Sequence, residues 1–376
     1  MKNLKIKEVL TKQELNKFIK FPWEVYKDDK NWVPPLISEV KNILTKKNPF
    51  WDHSEKKLWL LYDGSKLVGR IAGIVDYNYI NFQEERAGFF GFFEVFNNEK
   101  YAKILIKTVE TWLLTKDIKI MYGPMNPSTN DEMGFFLEGQ DGSPMLMMPY
   151  NPRYYIHLME QLGLEKAKDL YAYLLDYDFV NTDKLQNLKA KLEKKFATKN
   201  IKVRCMDMKK LKQEIHFALD VYNSAWEKNW GFVPWTEDEF FNIANMLKTL
   251  ADPNLILFLE VDNKPAGMVI IVPDFNQVLQ KLTGKLDLIG ILKFLWYRRK
   301  INQARLMILG IRKEFRKQGF ESLLLLAAHE NVKKAGLKNI EFSWILEDNV
   351  LTCRLAELTG GKLYRKYRVY KKEIGA

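Results

Sequence analysis

Two stretches of the chain, Leu58–Asp76 and Ile256–Asp274, carry one pattern: an apolar run, a polar pair and a second apolar run. The pattern predicts strand, tight turn, strand, with turns at Asp63-Gly64 and Asp262-Asn263. A strand-like Leu4–Val9 and a helical stretch from Thr11 precede the first hairpin. After it come an apolar β-run at Gly88–Phe96 and a helix at Glu99–Leu114, where Ile104, Leu105, Val109 and Leu113 recur at helical spacing. Ile118–Tyr122 reads as a short strand and Leu170–Tyr177 as an aromatic-rich closing strand. Asp183–Asn200 is rich in lysine and spaces Leu185, Leu188, Leu192 and Phe196 as a helix does. The order then starts again, with a strand at Ile201–Met206, a helix around Glu214–Trp226 and the second hairpin. Arg305–Ile311 and Asn339–Trp344 read as strands around a helix at Phe320–Ala335, followed by a helix near Val350–Leu358 and a strand at Lys362–Lys371.

The recurrence extends to individual residues. Asn31-Trp32 returns 198 positions later as Asn229-Trp230, and Lys66, Gly69, Asp76 and Asn78 return at the same offset as Lys264, Gly267, Asp274 and Asn276. One offset serving a Trp-containing dipeptide and a hairpin implies two copies of one unit. The expected organisation is a first copy at 1–180, a connecting helix at 181–200 and a second copy at 201–376. Strands mixed with helices predict an α/β fold with a mixed, partly parallel sheet.

Composition narrows the class. Apolar residues at 47% and charged residues at 28% are a globular balance, which excludes collagen-like and disordered chains. Two cysteines are too few for a disulfide framework. No run approaches the ~20 apolar residues that span a bilayer, and the first residues lack a signal-peptide core, so a cytoplasmic location is expected. The balance of 59 Lys and Arg against 47 Asp and Glu gives +12, which favours anionic partners. No aromatic–basic platform accompanies that charge, so nucleic acid is not expected.

Residues 308–321 concentrate the chemistry. An apolar strand ending at Ile311 runs through a basic turn with Arg312, Lys313, Arg316 and Lys317 into an apolar helix that Gly319 precedes. A helix amino end presents unpaired N–H groups and partial positive charge, which favour phosphate. Gly319 lets the chain bend and lets an anion approach the backbone.

Arg316-Lys317-Gln318-Gly319-Phe320-Glu321 resembles the signature of the GNAT superfamily of acyl-CoA-dependent N-acyltransferases, departing at Glu321, where that family has a small residue. The resemblance is clearest over 201–376 and implies two tandem GNAT-like acyl-CoA N-acyltransferase domains. The first copy is degenerate: Asn97-Asn98-Glu99-Lys100-Tyr101 has no glycine where the signature would lie, so it is not expected to bind a cofactor in the usual way. By the resemblance, amides of Arg316, Lys317, Gln318, Gly319 and Phe320 grip the coenzyme A diphosphate, while Leu309, Gly310 and Ile311 hold the pantetheine arm. Asn349 begins the family's later helix, where Ala356 replaces the tyrosine that many members use as an acid. The implied partners are acetyl-CoA or another acyl-CoA and an amine acceptor. Rival readings are a non-catalytic ligand-binding module of the same fold and a Fem-like aminoacyltransferase.

Acceptor candidates lie in two segments. Trp226, Glu227, Asn229 and Trp230 belong to the segment that walls the acceptor pocket in that family, and ordinary aromatic packing is the alternative. Asn130 and Asp131, with Glu132, lie on a turn-rich loop, Tyr122–Glu132. An amine attacks only when neutral, so a base is required. Glu341, Glu347 and Glu94 are candidates, as are Asp131 and Glu132, and Tyr364, Tyr367 or Tyr370 could replace the missing tyrosine. The apolar, basic-ended insert 279–300 suits an anionic lipid surface, a cover over a long acyl chain, or packing on the core. The four histidines show no metal-ligand spacing, and no Walker, dinucleotide or serine-elbow motif occurs.

Overall fold

In the computed structural model, which describes residues 4–177, 182–248 and 250–375, one sheet runs through both halves of the chain. The domain boundary expected at 180/181 and the side chain of Leu185 lie outside the described residues and side chains. The first half runs β1 (Leu4–Glu8), α1 (Lys12–Lys20), α2 (Pro22–Val25), α3 (Ile37–Ile43), β2 (Ser54–Asp63), β3 (Lys66–Asp76), α4 (Tyr77–Gln83), β4 (Ala87–Val95) and α5 (Glu99–Leu114). It continues through β5 (Ile120–Gly123), β6 (Met125–Asn126), β7 (Glu132–Met133), β8 (Phe135–Gly139), α6 (Tyr154–Gln161) and β9 (Glu165–Asp176). A connecting helix α7 (Thr182–Phe196) leads to β10 (Ile201–Cys205), α8 (Leu211–Trp226), α9 (Glu237–Leu247), β11 (Ile256–Val261), β12 (Lys264–Pro273), α10 (Asn276–Leu282) and α11 (Leu288–Tyr297). The chain closes with β13 (Gln303–Ile311), α12 (Phe320–Lys334), β14 (Asn339–Leu346), α13 (Val350–Leu358) and β15 (Lys362–Glu373).

Strand order is β1-β2-β3-β4-β5-β15-β9-β14-β13-β12-β11-β10. The pairs β4–β5 and β13–β14 are parallel and the others along this order antiparallel. The expected mixed sheet is therefore present. The two closing strands trade places: β15 sits beside β5 of the first half, and β9 sits beside β14 of the second. The sequence pattern does not announce this exchange, because a strand's alternation defines its buried face and not its neighbour.

The repeat is visible in hydrogen-bond register. Asp63↔Lys66, Tyr62↔Leu67 and Leu61↔Gly69 in the first hairpin become Val261↔Lys264, Glu260↔Pro265 and Leu259↔Gly267 in the second. The register also shifts at one equivalent place, between Leu61/Tyr62 and between Leu259/Glu260. Asp76 and Asp274 both turn the chain by accepting from the backbone two residues on, at Asn78 and Asn276. Such side-chain acceptors satisfy amides that a helix start leaves open.

Two contacts lock the halves together. Tyr367 and Tyr370 on β15 are fully enclosed, Tyr367 lying 5.6 Å from the ring of Phe136. His53, next to β2, holds Asp76 at 3.0 Å through Nδ1 and Glu239 of α9 at 3.3 Å through Nε2. Burial opposes its charge, but the two carboxylates outweigh that and raise its pKa to about 10.

Because β15 serves both halves, urea unfolding followed by tryptophan fluorescence should show one transition. Tyr367→Ala should cost about 3–5 kcal/mol, as truncation of large core side chains does. His53 has an unfolded pKa near 6.5 and a raised folded one, so its stabilisation is complete below pH 6.5 and disappears as pH rises towards about 10. His53→Gln, followed by urea unfolding across that window, should flatten this loss.

Candidate active site

The site begins where two parallel strands part. β13 and β14 pair from Gln303↔Asn339 to Leu306↔Phe342, and past Leu306 β13 is paired with β12 alone among the described residues. Opposite β12 the register shifts at Ile270/Ile271, leaving Met307 as an extra residue, and a bulge of this kind turns a strand away from its neighbour. At Gly310 a Cβ would come within 2.4 Å of the Trp226 ring, so only glycine lets the end of α8 lie on β13. Trp226 in turn stacks on Tyr222 at 4.7 Å.

The first half has the same parting with a different outcome. β4 and β5 pair from Ala87↔Ile120 to Phe89↔Tyr122. Beyond that point the chain fills the wedge itself: Phe92 N–H donates to Asn126 Oδ1 at 2.6 Å, and a Cβ on Gly91 would overlap the Met125 carbonyl at 1.8 Å. Asn98 also caps α5, accepting from Lys100 and Tyr101 N–H. The amino end of α12 has no side-chain cap.

The loop into α12 is braced from outside. Arg316 donates to the carbonyls of Ala225 at 2.7 Å, Ser224 at 3.3 Å and Ile311 at 3.3 Å, tying the loop to the end of α8. Arg312 pairs with Asp220 and Glu314, and Lys313 with Glu227. Lys317 and Gly319 have φ of 62° and 92°, left-handed geometry that glycine adopts at no steric cost. Cations reach this end from the connecting segment: Lys195 Nζ donates to the Gln318 carbonyl at 2.6 Å and Lys199 Nζ to Gln318 Oε1 at 3.1 Å. A Cβ on Gly319 would stand 3.6 Å from Lys195 Nζ, so a side chain there would enter the cradle. Open amides, a glycine and two ammonium groups fit a diphosphate.

Two cavities meet beside the wedge. The first, about 200 Å³, lies between α8, α9 and β11–β13, and its wall is largely apolar, with Leu211, Ile215, Leu247, Phe258 and Ile308. The second, about 290 Å³, lies against the first half and presents Tyr26, Arg70, Glu94, Glu132 and Tyr150. Asp131, Met147, Trp235 and Ile243 line both. Asn130 fixes the loop that carries Asp131, donating to the Val233 carbonyl at 2.8 Å and accepting from Tyr222 at 3.2 Å.

Asp131 faces these cavities instead of bulk water. Desolvation raises its carboxyl to about 7, against a hydrogen bond from Ser128 Oγ at 2.6 Å, and the charge of Glu239 adds to the rise. Glu132 is raised to about 7 by burial and by Glu94. Burial also pushes Glu94 up, although Arg70 lies 3.7 Å away and Tyr155 donates to it at 2.7 Å.

The other sequence candidates lie elsewhere. Glu341 and Tyr364 meet in one buried cluster: Tyr364 and Ser343 both donate to the Glu341 carboxylate, with Arg305 Nε 4.0 Å away. Burial raises the Glu341 pKa, and the residue lines neither cavity. Glu347 bonds Lys166 at 2.5 Å and the Asp169 N–H at 3.1 Å. Asn349 caps α13 by accepting from Thr352 N–H, and Ala356 is buried. Glu227 and Asn229 line neither cavity, and Trp230 packs 5.8 Å from Tyr122. Sequence reading passed over Tyr222, Arg305, Lys195 and the wall supplied by α9. The Thr236–Glu239 capping box before an apolar run was the available signal for α9.

No family model matches the chain. It is 33% identical over 380 residues to the bacterial ceramide synthase of Caulobacter vibrioides, covering 99% of this chain and 98% of that protein. It is 31% identical over 377 residues to Protein YghO of Escherichia coli, covering 98% of this chain and 95% of that one. Among solved structures, a tandem GNAT protein from the clavulanic acid biosynthesis pathway matches with a TM-score of 0.57 at 11% identity, over 100% of this chain and 99% of that one. A GCN5-related N-acetyltransferase from Sphaerobacter thermophilus matches at 0.53 and 11% identity, over 99% and 96%. The parallel pair that parts above an uncapped glycine-led helix belongs to a fold shared with tandem GNAT proteins, and the full-length identities place the chain in one family with the bacterial ceramide synthase and YghO.

Proposed function

We propose that this enzyme transfers a long acyl chain from coenzyme A to the primary amine of a lipid-like amino alcohol. The observation that carries the reading is the meeting, at Asp131, of an apolar cavity with one rich in carboxylates. An acetyl donor would leave the apolar cavity with nothing to hold. The C. vibrioides relative is named a ceramide synthase, and a ceramide is a long-chain amino alcohol bearing an amide-linked acyl chain.

Amides at Gly319 and Phe320, with Lys195 and Lys199 nearby, would hold the diphosphate. The free edge of β13 would receive the pantetheine arm and offer N–H to the oxyanion. The acyl chain would lie along Leu211, Ile215 and Leu247. Glu94, Glu132 and Asp131 would draw an ammonium head into the second cavity. A carboxyl near pKa 7 is matched to taking a proton at neutral pH. The ammonium first releases one proton to water, because only the neutral amine attacks; as its nitrogen then attacks the thioester carbon, Asp131 accepts a second proton from it. The C–S bond then breaks, and Asp131 returns that proton to the sulfur, leaving an amide and a free thiol. Positioning supplies most of the remaining acceleration.

Asp131→Asn should lower kcat by about 10²–10⁴-fold, the usual worth of a general base. It should also remove a rise in rate through pH 7, the pH at which Asp131 ionises. Gly319→Asp should weaken coenzyme A binding at least about tenfold in calorimetry, since a carboxylate would occupy a phosphate cradle, whereas Asp131→Asn should not. Thiol release measured with donors of increasing length should give kcat/KM rising from acetyl to long acyl chains. Ile215→Trp should reverse that order by filling the apolar cavity. Equal use of acetyl and long donors would defeat the long-chain reading.

A further inference from the structure

The insert between β12 and β13 has an apolar face that none of the described residues covers. On α11, Leu288 is 82% exposed, Leu292 68%, Ile289 66% and Trp296 63%. Positions 288, 292, 295 and 296 share one side of a helix, as i, i+4, i+7 and i+8 do. The opposite side is already used: Phe294 stacks on Phe275 at 5.7 Å, and Gly290 is buried against the Lys285 carbonyl. The inner face thus fixes the helix to the protein and turns the outer face outwards. A patch of this kind on a folded chain marks a contact surface.

Charge selects the occupant. Residues 276–301 contain six cations, Lys281, Lys285, Lys293, Arg298, Arg299 and Lys300, and one acid, Asp287. Asp287 is engaged as the cap of α11, accepting from Gly290 N–H at 2.8 Å. Arg298, Arg299 and Lys300 are exposed at the end of the apolar face, where Lys300 lies 5.4 Å from the Trp296 ring. Exposed leucines and a tryptophan bordered by basic groups suit the boundary between acyl chains and anionic headgroups. Among the described residues no helix is long and apolar enough to cross a membrane, so α11 would lie in the interface.

Place in the fold gives the face a purpose. α10 and the turn after it bridge to the first half: Gly284 O accepts from Ile37 N–H at 3.1 Å, and Gln280 donates to the Lys30 carbonyl at 2.8 Å. Leu279 of α10 lines the second cavity, and Val272 and Met307, which share a core with Phe294, line the first. The exposed face is therefore built on the elements that border both cavities.

We infer that α11 docks the enzyme on an anionic phospholipid bilayer, apolar face down. Its use in loading an acyl chain or amine from that bilayer rests on the acyl-transfer reading; the docking itself does not. The test is co-sedimentation of the full chain with vesicles of phosphatidylcholine alone and with vesicles that also contain phosphatidylglycerol. The parent should bind the anionic vesicles at least about tenfold more tightly and lose that preference in high salt. Leu288→Glu/Leu292→Glu/Trp296→Glu should abolish binding to both, with an unchanged urea midpoint because these side chains are exposed. Arg298→Glu/Arg299→Glu should reduce binding to the neutral-vesicle level, and it stands as the test should the first variant not fold. Asp131→Asn should bind as the parent does, which separates docking from catalysis. Failure of the parent to bind either vesicle, or binding of either surface variant like the parent, would overturn the inference. So would a parent dimer in sedimentation velocity that the triple substitution splits and vesicles ignore, since the face would then belong to a second copy.

Discussion

Parting two parallel strands creates a debt of backbone hydrogen bonds. β13 and β14 are joined for four registered pairs, and past Leu306 the inner edge of β13 must find other partners, because buried N–H and C=O groups cannot remain unpaired without cost. The first half meets the same demand from its own chain, through Asn126 on Phe92 N–H and the close approach of Met125 to Gly91. One repeat fills its wedge with its own chain, and in the other β13 and β14 stay apart past Leu306. The helix starts follow the same division, since Asn98 caps α5 while α12 begins uncapped at Gly319.

The charges are arranged by the same logic. The amino end of α12 is cationic through Lys195 and Lys199, reached from the connecting segment. The far end is carboxylate-rich and sheltered, and desolvation brings Asp131 and Glu132 near neutrality. Such a carboxyl is a poor stabiliser: the unfolded chain gives up the proton more readily, so the folded state loses ground as pH rises from about 4 towards 7. The proposed role of Asp131 as a base therefore needs the ionised form that costs the fold most.

Much of the fold was legible because it depends on local signals. The 198-residue offset anticipated two hairpins whose registers and bulges coincide, and the run from Ile308 to Glu321 read as strand, basic turn and helix, as found. What escaped depends on pairings between distant residues. β9 and β15 have the alternation of closing strands, and nothing local says that each closes the other copy. Arg316 reads as a phosphate ligand by type, yet its guanidinium is engaged by carbonyls of residues 224 and 225, about ninety positions earlier in the chain. Glu341 reads as a candidate base by type, and its burial against Arg305 and Tyr364 is not legible because both reach it from other strands. Cavities escape sequence reading for a related reason: the apolar face of α9 has the same spacing whether it packs on a core or lines a void.

The repeat also shows where the second copy acquired something the first lacks. Asp76 and Asp274 open the same turn, but the first copy passes through α4 directly into β4, whereas the second makes the longer excursion through α10 and α11 before β13. Inserting residues in a connection costs little chain entropy, since closure grows only with the logarithm of length. An insertion selected for stability alone would bury its apolar residues, and this one stacks Phe294 on Phe275 and buries Gly290 while leaving Leu288 and Leu292 outside. It also belongs to the copy whose wedge is open. The half whose parallel strands stay parted is thus the half that carries an exposed apolar helix on the border of the cavities, an association that folding requirements by themselves do not produce.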